Sequence, residues 1–289
     1  MKIATWNVNS VRSRLEHVKA WLQANPVDAL CLQETKVQDA DFPLEAFEQL
    51  GYHCAISGQK SYNGVAIVTK TPLTQIGIGF GAILGGLGEP AGGTEAIGDL
   101  DDQKRVLSGV LEGVRLVNLY VPNGSAMGSD KYAYKLRWLA LLETYLRTLL
   151  ATETDILVCG DFNIALEDQD IYKEPGDKSI ATHIMSTPAE RQALRQHVLD
   201  LGFADAFRRF TPEGKQFSWW DYRTAAFQRN LGWRIDHHYL SPSLCDRALS
   251  CTIDPTPRKL EKPSDHTPVI VELSSEKRLN KSRPHSANC

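Results

Sequence analysis

Strand-length apolar runs that break off in polar residues recur along this chain, and that recurrence limits the folds open to it. In VCGDFNIALED, residues 158–168, the run Ile156-Leu157-Val158 gives way to a glycine, a carboxylate, a ring and a carboxamide. Residues 2–8 alternate and close on Asn7, and the apolar run 27–32 closes on Gln33-Glu34. Between them Val11, Leu15, Val18 and Leu22 recur at helical spacing, so the opening reads strand, helix, strand. Further strands are expected over 63–70 and 106–121, the latter divided by a turn at Glu112-Gly113. Helices are expected over 131–150, through Leu139, Leu142, Leu146 and Leu149, and over 190–201, where Gly202 stands in the stop position. Strands are expected again at 155–163, 217–222, 233–240 and 269–273. No Pro- or Ser-rich linker separates these elements, which predicts one layered α/β domain over residues 1–273. The glycine-crowded stretch 77–98 reads as a mobile surface loop, and the polar, aperiodic stretch 274–289 as a disordered tail.

Composition narrows the setting. No apolar run is long enough to span a membrane, and no basic-then-apolar segment opens the chain, so a cytoplasmic protein is expected. The six cysteines show no metal-type pairing and several lie inside apolar runs, which predicts buried reduced thiols. A formal net charge of −3 counts mildly against a nucleic-acid partner, although a local basic face can act within an acidic whole. Nothing indicates an oligomer, so a monomer is the default.

The polar strand ends carry the chemistry. On extended backbone Asp161 and Asn163, two residues apart, would face one pocket; the bland alternative is a turn closed by its own side chains. The pattern repeats at Asn7, at Glu34, at Asp236 within Trp233-Arg234-Ile235-Asp236-His237-His238, and at Asp265-His266 before the last strand. Several carboxylates with two amides and no cysteine pair suit Mg²⁺ or Mn²⁺ better than zinc. His266 supplies a donor or proton carrier near neutral pH, its tautomer fixed by Asp236. Together they suit hydrolysis of a phosphate ester. No serine or cysteine sits in a nucleophile motif.

The ordered set Trp6-Asn7-Val8-Asn9, Leu32-Gln33-Glu34-Thr35-Lys36, Tyr120-Val121-Pro122-Asn123, Gly160-Asp161-Phe162-Asn163, Trp233-Arg234-Ile235-Asp236 and Ser264-Asp265-His266 resembles the exonuclease III family of abasic-site endonucleases, in particular its bacterial branch. The resemblance implies a four-layer α/β sandwich, two mixed β-sheets flanked by helices, as in DNase I-like phosphoesterases. It implies a metal held by Glu34 with Asn7 and Asp265, and contacted also by Asp161 and Asn163. Asp161 would position or deprotonate the attacking water, Asn163 and His266 would hold the phosphate, Asp236 would orient His266, and Tyr120 would stand by as donor or phenolate. Trp219, Trp233 and Ile235 would line a slot for a sugar without its base, which costs little to extrude. Lys36, Asn123 and Arg223 would contact phosphates. Asn9 departs from the aspartate of several relatives.

The function so implied is Mg²⁺-dependent incision of duplex DNA 5′ to an abasic site, leaving a 3′-hydroxyl and a 5′-deoxyribose phosphate. Exonuclease action from 3′ ends and removal of 3′ blocking groups can accompany it. Two rivals stand beside this expectation: another metal-dependent phosphoesterase on the same fold, and a catalytically silent nucleic-acid-binding member.

Overall fold

The computed structural model describes residues 1–85, 97–172 and 183–275. Two six-stranded sheets pack face to face. The first runs β11 (Ala248–Ile253), β12 (Val269–Leu273), β1 (Lys2–Asn7), β2 (Ala29–Gln33), β4 (Val65–Thr69), β3 (His53–Ser57); the second runs β5 (Thr74–Ile78), β6 (Val106–Leu111), β7 (Val114–Tyr120), β8 (Ile156–Asp161), β10 (Asp236–Leu240), β9 (Ala204–Asp205). Each sheet is mixed: β1–β2 and β7–β8 are parallel, and the remaining pairs are antiparallel.

Side-chain alternation sorts the strands into layers. Along β8, Leu157 and Cys159 enter the apolar layer between the sheets, where Ile3, Cys31, Val65 and Val271 also lie. Ile156 and Val158 turn the other way, against the helices Asp130–Leu150 and Pro188–His197. On the far side Ala4, Trp6 and Val8 pack under Val18, Trp21 and Leu22 of the helix Leu15–Ala24. The result is the expected four-layer sandwich.

Polar residues pin the two sheets near one end. Gln33 Nε2 donates to Thr5 Oγ1 (2.9 Å) and Asn118 Oδ1 (2.7 Å), while Asn118 Nδ2 donates to the carbonyls of Leu32 (3.0 Å) and Ala66 (2.9 Å). Gly160 lets β7 and β8 close up beside the site. Its φ is +141°, and a Cβ there would stand 1.9 Å from the carbonyl oxygen of Leu119.

Several expectations need correction. Residues 217–222 form no strand. Isolated bridges join Trp219 to Trp233 and to His266, and Ser218 Oγ accepts the Ile235 and Asp236 amides at 3.1 Å each, which replaces a regular ladder. For the same reason the expected strand 233–240 begins only at Asp236. The helix expected over 190–201 ends at His197, and a 3₁₀ turn, Leu199–Leu201, leads to Gly202 at φ +98°. Of the glycine-rich stretch, Gly77 and Ile78 finish β5 and Gly81–Leu84 is helical, tied to Asp101 through the Phe80 and Gly81 amides (2.7 and 2.8 Å). Residues 86–96 lie outside the described residues, as does the expected tail from 276 onward. Cysteines 31, 54, 159, 245 and 251 form no disulfide.

Candidate active site

Register brings three predicted residues into one row. Asp161 is paired with Tyr120 across β7–β8 and with Asp236 across β8–β10. In the facing sheet Asn7 closes β1 beside Gln33, and Glu34 follows at once. The two strand ends meet through Asn7, whose Nδ2 donates to Glu34 Oε1 and Asp161 Oδ2, both at 2.9 Å.

Asp161 and Asn163 do come together, but by a different route from the one the spacing suggested. The strand stops at Asp161, and Asn163 adopts a left-handed φ of 49°. Its amide N donates to Asp161 Oδ1 (2.8 Å) and its Nδ2 to Asp161 Oδ2 (3.3 Å). The turn closed by its own side chain and the shared site are one arrangement. Asn9, Glu34 and Lys36 are left-handed as well, at φ 45°, 50° and 55°. Strain of this kind persists only where the surroundings over-determine the backbone.

His266 completes the centre. Its Nδ1 lies 2.9 Å from Asp236 Oδ2, and its Nε2 lies 3.7 Å from Asp161 Oδ2. Candidate ligand atoms of Asp161, Asp236 and His266 all lie within 4.8 Å of one another, and all three residues are buried. Burial disfavours charge on the imidazole, yet Asp236 and Asp161 prevail and hold His266 up at about 10. Burial, reinforced by Asp236 and opposed by His266, pushes Asp161 up to about 7. Near neutrality the imidazolium therefore faces a carboxyl group poised to exchange a proton. Tyr120 is raised well above its ordinary value by burial and by Glu34 and Asp161. That direction favours the donor over the phenolate.

The remaining expected ligands form a second line. Burial alone would raise Glu34, but the Lys36 ammonium at 2.7 Å, the Asn7 amide and His266 keep it below the usual carboxylate range. Lys36 Nζ also donates to Asn9 Oδ1 (2.6 Å), and Asn9 Nδ2 donates to Asp265 Oδ1 (3.0 Å). Asp265, likewise held low against burial by His266, Trp219 and Asn9, accepts from Trp219 Nε1 at 3.0 Å. Asn9 thus links Asp265 to Lys36 and through it to Glu34, a role invisible when it is read only as a lost aspartate. The donors fit a hard divalent cation: Glu34 and Asp265 are oxygen ligands kept ionised, whereas both nitrogens of His266 already face carboxylates. Asn7 turns its oxygen to the Asn9 amide (3.0 Å) and its NH₂ to the carboxylates, so it orients Glu34 and Asp161. Asn163 Oδ1 accepts from Asn123 Nδ2 (3.0 Å).

Beside this centre the half-buried rings of Trp219 and Trp233 meet edge to face at 6.4 Å over Ile235, Ala165, Ile171 and Met185. Phe217 and Trp220 belong to a separate packed cluster with Ala226, as alternation requires of some of these aromatics. His183, which carried no motif, lies parallel to Trp233 with centroids 6.3 Å apart. Tyr222 was also missed; its hydroxyl donates to the carbonyl of Pro263 (2.9 Å) and accepts from Asn9 Nδ2 (3.3 Å). Arg223 is not drawn in. It is largely exposed and bound to Asp221 (2.6 Å). Asn123 opens onto a cleft of about 590 Å³ that Arg105, Lys131, Arg137, Tyr62 and Tyr134 help to line.

The family model described as Endonuclease/Exonuclease/phosphatase family matches residues 4–266. The chain is 35% identical over 281 residues to an exodeoxyribonuclease III of Haemophilus influenzae, covering 94% of this chain and 100% of that protein. Among solved structures it is similar to a 3′ phosphatase from Neisseria bound to a product DNA hairpin, with 41% identity, TM-score 0.85 and coverage of 95% and 99%. It is also similar to an AP endonuclease from Archaeoglobus fulgidus, with 37% identity, TM-score 0.82 and coverage of 94% and 99%.

Proposed function

From the premise that the chain belongs to the Endonuclease/Exonuclease/phosphatase family, we propose that it is a Mg²⁺-dependent DNA repair hydrolase. It cuts the phosphodiester 5′ to abasic sites in duplex DNA and also acts at 3′ ends, where the Neisseria relative is a 3′ phosphatase. The observation that carries the reading is the set Glu34–Asn7–Asp161, joined by hydrogen bonds, facing His266 (3.7 Å from Asp161) and its partner Asp236 at one end of the sandwich, beside the Trp219–Trp233 pair.

In this mechanism Asp161 takes the proton of the attacking water, since a carboxylate with affinity near neutrality is matched to that task. His266, held charged by Asp236, donates to a non-bridging phosphate oxygen as negative charge develops. Asn163, braced by Asn123, and the neutral Tyr120 supply further donors. Glu34 and Asp265 would hold the Mg²⁺, which when bound would supply charge neutralisation at the phosphate. The slot formed by Trp219, Trp233 and Ile235 admits a sugar that has lost its base and rejects a complete nucleotide by size. Lys36, Asn123 and Arg223 serve as contacts to the DNA backbone.

The test is a labelled duplex with one abasic analogue, its undamaged twin and a duplex ending in a 3′-phosphate, each with Mg²⁺, Mn²⁺ or excess EDTA. Incision 5′ to the lesion that EDTA abolishes is the expected result. Absence of cleavage of any of the three in either metal would refute the reading.

A further inference from the structure

Behind Asn123 and Asn163 lies a fully buried cation. Lys135, in the helix Asp130–Leu150, is wholly inaccessible, and its Nζ donates to the Asn163 carbonyl (2.8 Å), the Asn123 carbonyl (3.2 Å) and Glu190 Oε1 (2.6 Å). Glu190 is equally buried and fully engaged. Its Oε1 also accepts the Met185 amide (3.1 Å), and its Oε2 accepts the Thr187 amide (3.0 Å) and hydroxyl (2.8 Å), closing a capping box at the start of the helix Pro188–His197. The backbone after Asn123 rests on the lysine stem: a Cβ on Gly124 would lie 3.2 Å from Lys135 Cδ.

A buried ion pair of this kind is often no more stabilising than apolar packing of the same volume. What distinguishes Lys135 is what it holds. Its two carbonyl acceptors belong to residues whose side chains bond each other, Asn123 Nδ2 to Asn163 Oδ1 at 3.0 Å, and the second of these reaches Asp161. Charge-assisted bonds are short and strong, and one directed at the carbonyl of a left-handed residue holds that conformation.

We infer that Lys135 is a positioning residue: from behind the site, it fixes the main chain of Asn123 and Asn163 and so holds the chain of side-chain bonds from Asn123 through Asn163, which also donates to the Val121 carbonyl (3.0 Å), to Asp161. The inference rests on the phosphodiesterase reading above. Two variants separate positioning from stability. Lys135→Met and Glu190→Gln both break the ion pair, but Glu190→Gln leaves the carbonyl contacts of Lys135 in place. Each is assayed on the abasic duplex with Mg²⁺, well below its own unfolding midpoint. Lys135→Met is expected to lower kcat about ten- to a hundredfold with KM little changed, as small misplacements of positioned groups do. Glu190→Gln is expected to stay near wild type.

Spectra of protein labelled with [¹⁵N]asparagine, taken without metal, supply a readout independent of turnover. The side-chain signals of Asn123 and Asn163 move in Lys135→Met and hold in Glu190→Gln. If Lys135→Met fails to fold, Lys135→Met combined with Glu190→Leu, which leaves no buried charge unpaired, replaces it in the comparison. Equal losses of kcat that track the midpoints, with unmoved asparagine signals, would overturn the inference. A wild-type protein that cleaves no phosphodiester would refute the functional reading alone, and the spectra would still decide for or against Lys135.

Discussion

Asp161→Asn is expected to abolish turnover and, at alkaline pH, to stabilise the fold. Asp161 binds its proton at about pH 7 in the folded chain and near 3.8 when unperturbed, so between those values the folded state keeps a proton that the unfolded state has released. Stability from this source is complete below about pH 4 and is lost as pH rises through 7. At about 1.4 kcal/mol for each tenfold in proton affinity, the interval corresponds to about 4 kcal/mol, the cost of ionising a carboxyl group that is 1% exposed. Asparagine avoids that cost. Against it, the new NH₂ confronts either Asn7 Nδ2 and Asn163 Nδ2, which both donate to Asp161 Oδ2, or the Asn163 amide N, which donates to Oδ1, a loss of about 1–3 kcal/mol. The variant should therefore be the less stable protein near pH 4 and the more stable one near pH 8. The difference between the two proteins should swing by about 4 kcal/mol, or roughly 10 °C in midpoint for a chain of this size. Urea unfolding of both proteins in metal-free buffer at several pH values measures it directly. A stability difference that does not change with pH would refute the reasoning, and near-normal turnover of the folded variant would refute the catalytic role.

Asp236→Asn removes the largest attraction that keeps His266 charged, so kcat at pH 7.5 should fall by about a hundredfold or more, and a rate–pH profile should show activity partly restored toward acid. Trp233→Ala opens the wall on which Trp219 and His183 rest; the ratio of kcat/KM for abasic over undamaged duplex should drop about tenfold, measured by competition in one reaction, while folding is retained. Arg234→Met leaves the buried carboxylate of Asp205 without its arginine and that of Asp170 with Arg208 alone, and Arg234 holds both below their usual range against burial. Denaturation should show a loss of about 3–5 kcal/mol that shrinks as pH falls and these carboxylates are protonated.

The strands that sequence periodicity failed to locate share one property. β3, β5, β9 and β11 are the four edges of the two sheets. β5 shows why: only Gly77 of its residues is buried, so neither an apolar run nor alternation marks it. Central strands such as β1, β2 and β8, covered on both faces, advertise themselves. The candidate site followed the same logic. Asn7, Glu34 and Asp161 were legible because each interrupts an apolar run at a strand end. Asn9, Lys135 and Glu190 were not, because their roles rest on partners 256, 28 and 55 residues away. The aromatic segment 217–222 misled because ring content alone suggested a strand, while Ser218 diverts its hydrogen bonds.

One pairing in the first sheet has a temporal meaning. β1 lies between β2 and β12, and the amino group of Met1 donates to the carbonyl of Leu273 at 2.8 Å. A growing polypeptide that has emerged as far as β11 already exposes Asn7, Glu34, Asp161 and Asp236, but it has no neighbour for one edge of β1 and no His266. Contacts of such sequence separation form late and slowly, and at about 5–20 residues per second β1, made first, waits on the order of tens of seconds for β12. A chain that stops before β12 would lack His266 and leave one edge of β1 unpaired, so such a truncation is expected neither to fold fully nor to cleave DNA.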